Sequence, residues 1–375
     1  MAETIPPNIE TVMKFKTIAK EFQKALEVAE GIIPVRTPLP AATHVLIELK
    51  GGVLTLTGTD ASNQVQYSFP AEGEDGVVLV PARKLLAFAK TLQGRELHAE
   101  SVSGKHLRLT TENIELALPE LPAADFPNVP APTGNSFKVD QATLCAALRR
   151  TVFAAAVDDE RHVLCGCYLH FQDGQGRVVA TDSRRLALVH FSPVSMPSNA
   201  ETRCIIPTAI AKLLISHLVW KSEVTCTVGE RQVSFECDTA DGRYRLIFTQ
   251  VEGNYPNYEK FIRPLQRENV ISRDALLQAL KRASMAVDEK EGTVDMRFEG
   301  RRLIIEAQTS CKFQESLEMN YSGETCATVF APRYIAEALE VSAEDEVRFD
   351  LQGPQSPLVL QGHNSVYLAM PRRLH

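Results

Sequence analysis

Apolar and polar residues alternate with a period of two along much of this chain, and short stretches with helical spacing interrupt the alternation. Leu107-Arg108-Leu109-Thr110-Thr111 followed by Ile114-Glu115-Leu116-Ala117-Leu118 predicts two half-buried strands, because a pleated strand sends alternate side chains to opposite faces. From Val178 to His190 two β-prone runs flank a polar break of Thr181, Asp182, Ser183, Arg184 and Arg185. That pattern predicts a strand, a tight turn and an antiparallel return, since Asp and Ser side chains satisfy turn backbone locally. Val53 to Val65 and Leu303 to Leu317 have the same form. Helical periodicity marks Phe15 to Glu27, Gln141 to Phe153 and Ser272 to Val287. In the second of these, Asp140 is the expected N-cap ahead of an apolar stripe of Leu144, Ala147 and Leu148. In the first, Lys16, Lys20 and Lys24 fall on one predicted face, and Ile18, Phe22 and Leu26 on the other.

The plan is written three times. Val80-Pro81-Ala82-Arg83-Lys84-Leu85-Leu86 recurs around Pro207 and again around Pro332, with the prolines 126 and 125 residues apart. Each proline follows an apolar strand end and opens a helical pattern, where its missing N–H costs nothing. These predict helices over Pro81–Leu92, Pro207–Leu218 and Pro332–Leu339. Repeats of this length are duplicated domains rather than solenoid units. The expected fold class is α+β, three tandem copies of a domain with two helices packed on antiparallel sheet. The boundaries expected are 13–132, 133–263 and 264–375, with breaks at the Pro-rich Pro127–Thr133 and near Arg263-Pro264. Residues 1–12 carry Glu and Pro without an apolar segment, which predicts a flexible extension and no signal peptide.

Composition narrows the classes. Over 375 residues, 44% hydrophobic and 23% charged residues describe a globular chain with substantial cores. No apolar run approaches the length of about eighteen residues that a membrane helix needs. The eight cysteines are scattered apart from Cys165 and Cys167, which reads as buried thiols in a cytosolic protein and not as a zinc site. Asp158-Asp159-Glu160 beside Arg161 and His162 is the nearest thing to a two-metal cluster, but consecutive carboxylates cannot all face one ion. Asp182 and His190 lack a neighbouring nucleophile. No Gly-rich phosphate loop, His-Glu-x-x-His or Gly-x-Ser-x-Gly elbow occurs. No catalytic residue, cofactor or metal is therefore expected. A net charge of −7 argues superficially against nucleic acid. Yet the six predicted helices together carry +9, leaving −16 for the remainder, and none of them is negative.

Ala180-Thr181-Asp182-Ser183-Arg184-Arg185-Leu186-Ala187 resembles the signature of the middle domain of the bacterial β sliding clamps, the processivity subunits of replicative DNA polymerase. Met370-Pro371-Arg372-Arg373-Leu374 resembles the same family's C-terminal end, Met13-Lys14-Phe15 its start, and the three repeats its architecture. The resemblance implies a crescent of three domains, two of which join head to tail as a homodimeric ring with helices lining the hole. It implies encircled duplex DNA, held without sequence selectivity, and a bacterial, nucleoid-associated cytoplasmic location. The DNA-facing candidates are Lys16, Lys20, Lys24, Arg36, Arg83, Lys84, Arg149, Arg150, Lys212, Lys281 and Arg282; of these Arg36 matches a loop arginine of the family, and the others rest on charge. Leu116 and Leu118 would meet Met285 and Ala286 across the dimer interface. Clamp-binding peptides of the polymerase, the clamp loader and other proteins would enter a cleft formed by Leu164, Thr181, Ser183, Arg184, Arg185, Leu186, Pro256, Lys260, Phe261, Leu368, Met370, Pro371, Arg372 and Arg373. Arg184 and Arg185 are expected at its rim. Ser183 stands where the family usually has Gly, Arg184 where His is common, Phe261 for a smaller aliphatic and Arg372 for a frequent Met. These changes predict a shallower, more basic pocket that prefers an acidic residue beside a leucine–aromatic pair. The rivals are a clamp paralogue with altered partner choice, and a DNA-modifying or nucleotide-hydrolysing enzyme on repeated α+β domains.

Overall fold

The structure, a computed structural model, describes residues 13–102, 104–195, 201–217, 222–267, 269–288, 292–308 and 311–372. The extension 1–12, Arg373 and the predicted helix end at Leu218 lie outside the described residues. Six α-helices occur among them: α1 (Ala19–Glu30), α2 (Ala82–Ala89), α3 (Gln141–Arg149), α4 (Thr208–His217), α5 (Arg273–Ser284) and α6 (Pro332–Val341). Every strand pairing among the described residues is antiparallel. The chain divides into two compact units, one built from 1–141, 194–197 and 217–250, the other from 142–193, 198–216 and 251–375.

The three repeats are visible strand by strand. Lys14–Ile18, Asn135–Asp140 and Asn269–Ser272 each run directly into a helix. Gly76–Pro81, Thr202–Pro207 and Cys326–Phe330 each lead into the second helix of their repeat. Pro81 and Pro207 end their strands as the helix begins, and Pro332 occupies the first turn of α6. Ser272 caps α5 by accepting from Ala275 N at 3.4 Å. The predicted hairpins are present as Val53–Thr59 with Gln64–Pro70, Gln175–Thr181 with Arg185–Phe191, and Arg302–Gln308 with Lys312–Asn320.

What links successive repeats is strand pairing. In the first unit the return strand Gln64–Pro70 pairs with Arg243–Thr249, the last strand of the second repeat. In the other unit the return strand Arg185–Phe191 pairs with Ser365–Ala369, the last strand of the third, with Leu186 opposite Leu368. These pairings join strands of two repeats into sheets of eight and twelve strands, so the middle repeat contributes to both units. By the same rule the return strand of the third repeat, Lys312–Asn320, has an edge to offer. Among the described residues it meets Asn269–Ser272 only through Met319 and Asn320. The last strand of the first repeat, Ile114–Pro119, forms one edge of its five-stranded sheet and, among the described residues, pairs only with His106–Thr111.

The structure corrects the helix at the start of the chain. Lys14–Ile18 is a strand with alternating exposure, and α1 begins at Ala19. Spacing of i and i+4 satisfies both a period of two and one of 3.6, so Lys16 and Lys20 fit either element. α3 ends at Arg149, and a 3₁₀ turn over Val152–Ala154 replaces the rest of its predicted length. The shifted bounds change the charge count: −1 on α1, +2 on α2, +1 on α3, +1 on α4, +2 on α5 and −1 on α6, or +4 in all. The expectation that no helix is negative therefore fails, because Glu30 and Glu340 fall inside α1 and α6 while Lys16, Lys90 and Arg150 fall outside helices.

Candidate functional site

The turn between Gln175–Thr181 and Arg185–Phe191 is built by its own side chains. Asp182 Oδ1 accepts from the backbone N–H groups of Arg184 (2.9 Å) and Arg185 (3.0 Å). The Thr181 hydroxyl accepts from Ser183 N at 3.1 Å and donates to Arg185 O at 2.5 Å. Ser183 takes φ +72°, a left-handed conformation that glycine adopts without strain. Its hydroxyl oxygen accepts from Arg161 at 2.9 Å, and Arg161 is itself held by Asp159 at 3.0 Å. That pairing keeps the Asp159 carboxyl below the usual carboxylate range. Of the acidic run Asp158-Asp159-Glu160, Asp159 thus clamps an arginine on the loop beside the turn. No group of three or more His, Cys, Asp or Glu able to hold a metal ion occurs among the described residues.

The two arginines expected at the rim part ways. Arg184 is exposed, but Arg185 turns inward. Its guanidinium pairs with Asp182 at 3.0 Å and with Glu337, donates to Phe153 O at 2.6 Å, and lies over the Tyr334 ring at 4.9 Å. With one bond on each nitrogen and an aromatic face beneath it, Arg185 is a strut of the turn. Burial pushes the Tyr334 phenol up, but hydrogen bonds from Arg333 and Arg184 outweigh it and hold the group below its ordinary value. Phe153, Arg333, Tyr334 and Glu337 were not singled out from the sequence; the aromatic Tyr334 just inside the third Pro-led helix was the available signal.

The tail is fixed. Met370 N donates to Arg184 O at 2.8 Å and Arg372 N to Val329 O at 2.8 Å. Leu186 and Leu368 belong to one buried cluster with Tyr168, Val179, Leu188, Ile205 and Tyr258, and Leu164 is fully buried. These leucines form the floor, not an open lining. The exposed apolar surface consists of Phe261 at 54%, Met370 at 37% and Pro256. Arg184 and Lys260 are exposed, and Pro371 and Arg372 half-buried. A cavity of about 160 Å³ opens beside Phe261, between 260–265 and 350–359.

The candidate DNA contacts separate into two groups. Lys20, Arg36, Lys84, Arg149 and Lys212 are exposed and make no ion pair among the described residues. The remainder are engaged: Lys16 with Glu96 at 2.9 Å, Lys24 with Asp241 at 3.4 Å, Arg83 with Glu30 at 3.3 Å and Lys281 with Glu340 at 2.6 Å. Arg282 grips Glu315 through two bonds, and Arg150 donates to the hydroxyls of Ser365 (2.7 Å) and Tyr367 (3.3 Å). At the candidate interface, Leu116 is half-buried and Leu118 is core at 3%, whereas Met285 is 83% exposed and Ala286 half-buried. Burial pushes the Cys167 and Cys204 thiols up to about 12, so both stay protonated at neutral pH.

Comparison with known proteins bears on all of this. Three family models match in succession: DNA polymerase III beta subunit, N-terminal domain over residues 13–130, central domain over 138–257, and C-terminal domain over 263–373. A beta sliding clamp of Pseudomonas aeruginosa is 29% identical over 376 residues, covering 96% of this chain and all of the relative. One from Chlamydia pneumoniae is 26% identical, covering 97% of this chain and all of the relative. A crystal structure of the Pseudomonas aeruginosa DNA polymerase sliding clamp, 28% identical, superposes with a TM-score of 0.91 over 96% of this chain and the whole of that one. The Bacillus subtilis clamp, at 22% identity and TM-score 0.90 over 97% of this chain and all of that one, shares the fold.

Proposed function

This chain belongs to the DNA polymerase III beta subunit family, and we propose that it is a sliding clamp closed as a head-to-tail homodimer around duplex DNA. The observation that carries the proposal is the strand-pairing rule. Return strand meets the next repeat's last strand twice within the chain, which leaves Lys312–Asn320 and Ile114–Pro119 with open edges. Two copies related head to tail satisfy both edges, and a closing rotation makes a ring and not a filament. Phe313 and Leu317, half-buried on the third repeat's edge, and exposed Met285 offer apolar cover for Ile114 and Leu116.

The clamp catalyses nothing; it holds DNA by enclosure. Lys20, Arg36, Lys84, Arg149 and Lys212 supply diffuse phosphate attraction, which carries no sequence information and permits sliding. The ion-paired Lys16, Lys24, Arg83, Lys281 and Arg282 and the tied Arg150 contribute less. The replicative polymerase, the clamp loader and other replication and repair proteins dock by short peptides on the patch of Pro256, Phe261 and Met370 beneath Arg184, Lys260 and Arg372. Covering two large apolar side chains, at about 1.5–3 kcal/mol each, suffices for weak, exchangeable binding after association costs. The cationic surround favours peptides with an acidic residue beside the apolar pair. The setting is the bacterial cytoplasm, on the nucleoid.

Titration of a fluorescent peptide bearing a leucine–phenylalanine pair tests the docking patch. Phe261→Ala combined with Met370→Ala removes exposed side chains and leaves the floor intact; binding is expected to weaken about tenfold or more. Unchanged affinity overturns the assignment.

A further inference from the structure

Four neighbouring strands carry a row of basic side chains in one register. Arg203 of Thr202–Pro207 stands opposite His170 of Gly166–Gln172, His170 opposite Arg177 of Gln175–Thr181, and Arg177 opposite His190 of Arg185–Phe191. Directly opposed residues share one face of a sheet. Glu201 lies 3.2 Å from His170 Nε2 and 4.0 Å from Arg203, and Glu259 accepts from Arg177 at 2.7 Å. The segment that carries exposed Phe261 is tied to this row through Tyr258, which immediately precedes the 3₁₀ turn Glu259–Phe261. Tyr258 is 5% exposed and packs in the cluster with Leu186 and Leu368, and its carbonyl accepts from Phe261 N at 3.0 Å. Its hydroxyl lies 3.1 Å from His170 Nδ1 and accepts from Arg177 at 3.4 Å. Tyr255, three residues earlier, stacks on the Tyr168 ring at 4.7 Å.

The partners assign the protons. An ionised carboxylate only accepts, so Glu201 places the proton of a neutral His170 on Nε2. Nδ1 is then an acceptor and takes the Tyr258 O–H, and the phenol oxygen accepts from Arg177. The result is one chain of donors running from Arg177 through Tyr258 and His170 to Glu201. A second proton, on Nδ1, breaks it. Tyr258 would have to accept from both sides, and its own hydroxyl proton has no other acceptor among the described residues. The new charge would also stand between Arg203 and Arg177. We propose that Tyr258 is a positioning residue for the docking segment and that its grip requires a neutral His170, so that protonating this imidazole frees the segment and weakens docking. The inference rests on the docking reading above. Burial holds the His170 imidazole below its ordinary value, against the opposing pull of Glu201. The fold therefore favours the neutral form: the grip is complete above about pH 6.5 and is lost as pH falls through the lower value of the folded state. His190, held down by burial and then by Arg177, makes no bond to Tyr258 among the described residues.

Two readouts on the full-length protein test this. Amide hydrogen exchange over residues 255–262, corrected for its intrinsic pH dependence and taken relative to the strand Gly166–Gln172, reads the segment with no peptide present. Titration of a capped leucine–phenylalanine peptide without titratable groups reads docking. Lowering the pH from about 7.5 to about 5 should speed the exchange about tenfold and weaken the peptide about fivefold in the wild-type chain. Tyr258→Phe should give the faster exchange at both pH values, with a pH response of less than about twofold. His170→Leu should do the same. His170→Gln keeps an acceptor for Tyr258 and a donor for Glu201, so it should restore the slow exchange and the tighter binding while losing the pH response. Exchange in the wild-type chain that ignores pH overturns the proposal, and that comparison needs no variant to fold. So does a pH response that survives in His170→Gln. Faster exchange in acid with no peptide bound at any pH overturns the docking reading and spares the hold of His170 on Tyr258.

Discussion

At the scale of single residues, the site is held by conformations and contacts that residue type alone does not announce. Ser183 occupies a left-handed position at φ +72°, and its hydroxyl ties the turn to Arg161. The hairpin was legible from Asp182 and its β-prone flanks. The inward rotation of Arg185 was not, because Phe153 and Glu337 lie far away in sequence. Leu164, Leu186 and Leu368 share a reason: an apolar residue beside a binding motif reads equally well as floor or lining. Elsewhere, burial holds the His217 imidazole down from its ordinary value to about 4, with Tyr244 OH at 3.5 Å from its Nδ1. The neutral form is favoured in the fold, so its contribution is complete above pH 6.5 and disappears as pH falls toward 4. Conversion at about 1.4 kcal/mol per unit puts that loss near 3 kcal/mol at most. Urea unfolding at pH 7 and pH 4.5 should show a smaller acid loss for His217→Gln than for the wild type, by about 2 kcal/mol; equal losses would contradict this assignment.

At the scale of elements, strands were read better than helices. Alternation survives in any strand with one buried face, so the hairpins and the edge strand Ile114–Pro119 emerged directly. Lys14–Ile18 was misread because its lysine spacing suits both periods, and the charge carried by the helices shrank once the true bounds were known. Which strand of one repeat pairs with which of the next was not legible, since register is a property of distant segments. Yet that pairing identifies the two open edges. Leu116→Asp puts a charge on one of them without disturbing the core residue Leu118. Sedimentation at micromolar concentration should give a dimer for the wild-type chain and a monomer of native circular dichroism for the variant. A variant that remains dimeric would exclude this edge from the interface.

At the scale of the whole molecule, three repeats of one plan account for the length of the chain, the constant spacing of Pro81, Pro207 and Pro332, and the two edges left over. The proposed enclosure by a ring makes retention depend on the topology of the DNA, whereas the few unpaired cations predict weak, salt-sensitive attraction to DNA fragments. The most direct measurement loads the protein onto a nicked circular plasmid with a clamp loader and follows co-elution on gel filtration before and after a single double-strand cut. The circle should carry the protein through the column at moderate salt, and the cut should release it as the ring runs off an end. Retention that survives linearisation, or equally tight binding to short linear duplexes without a loader, would contradict the account.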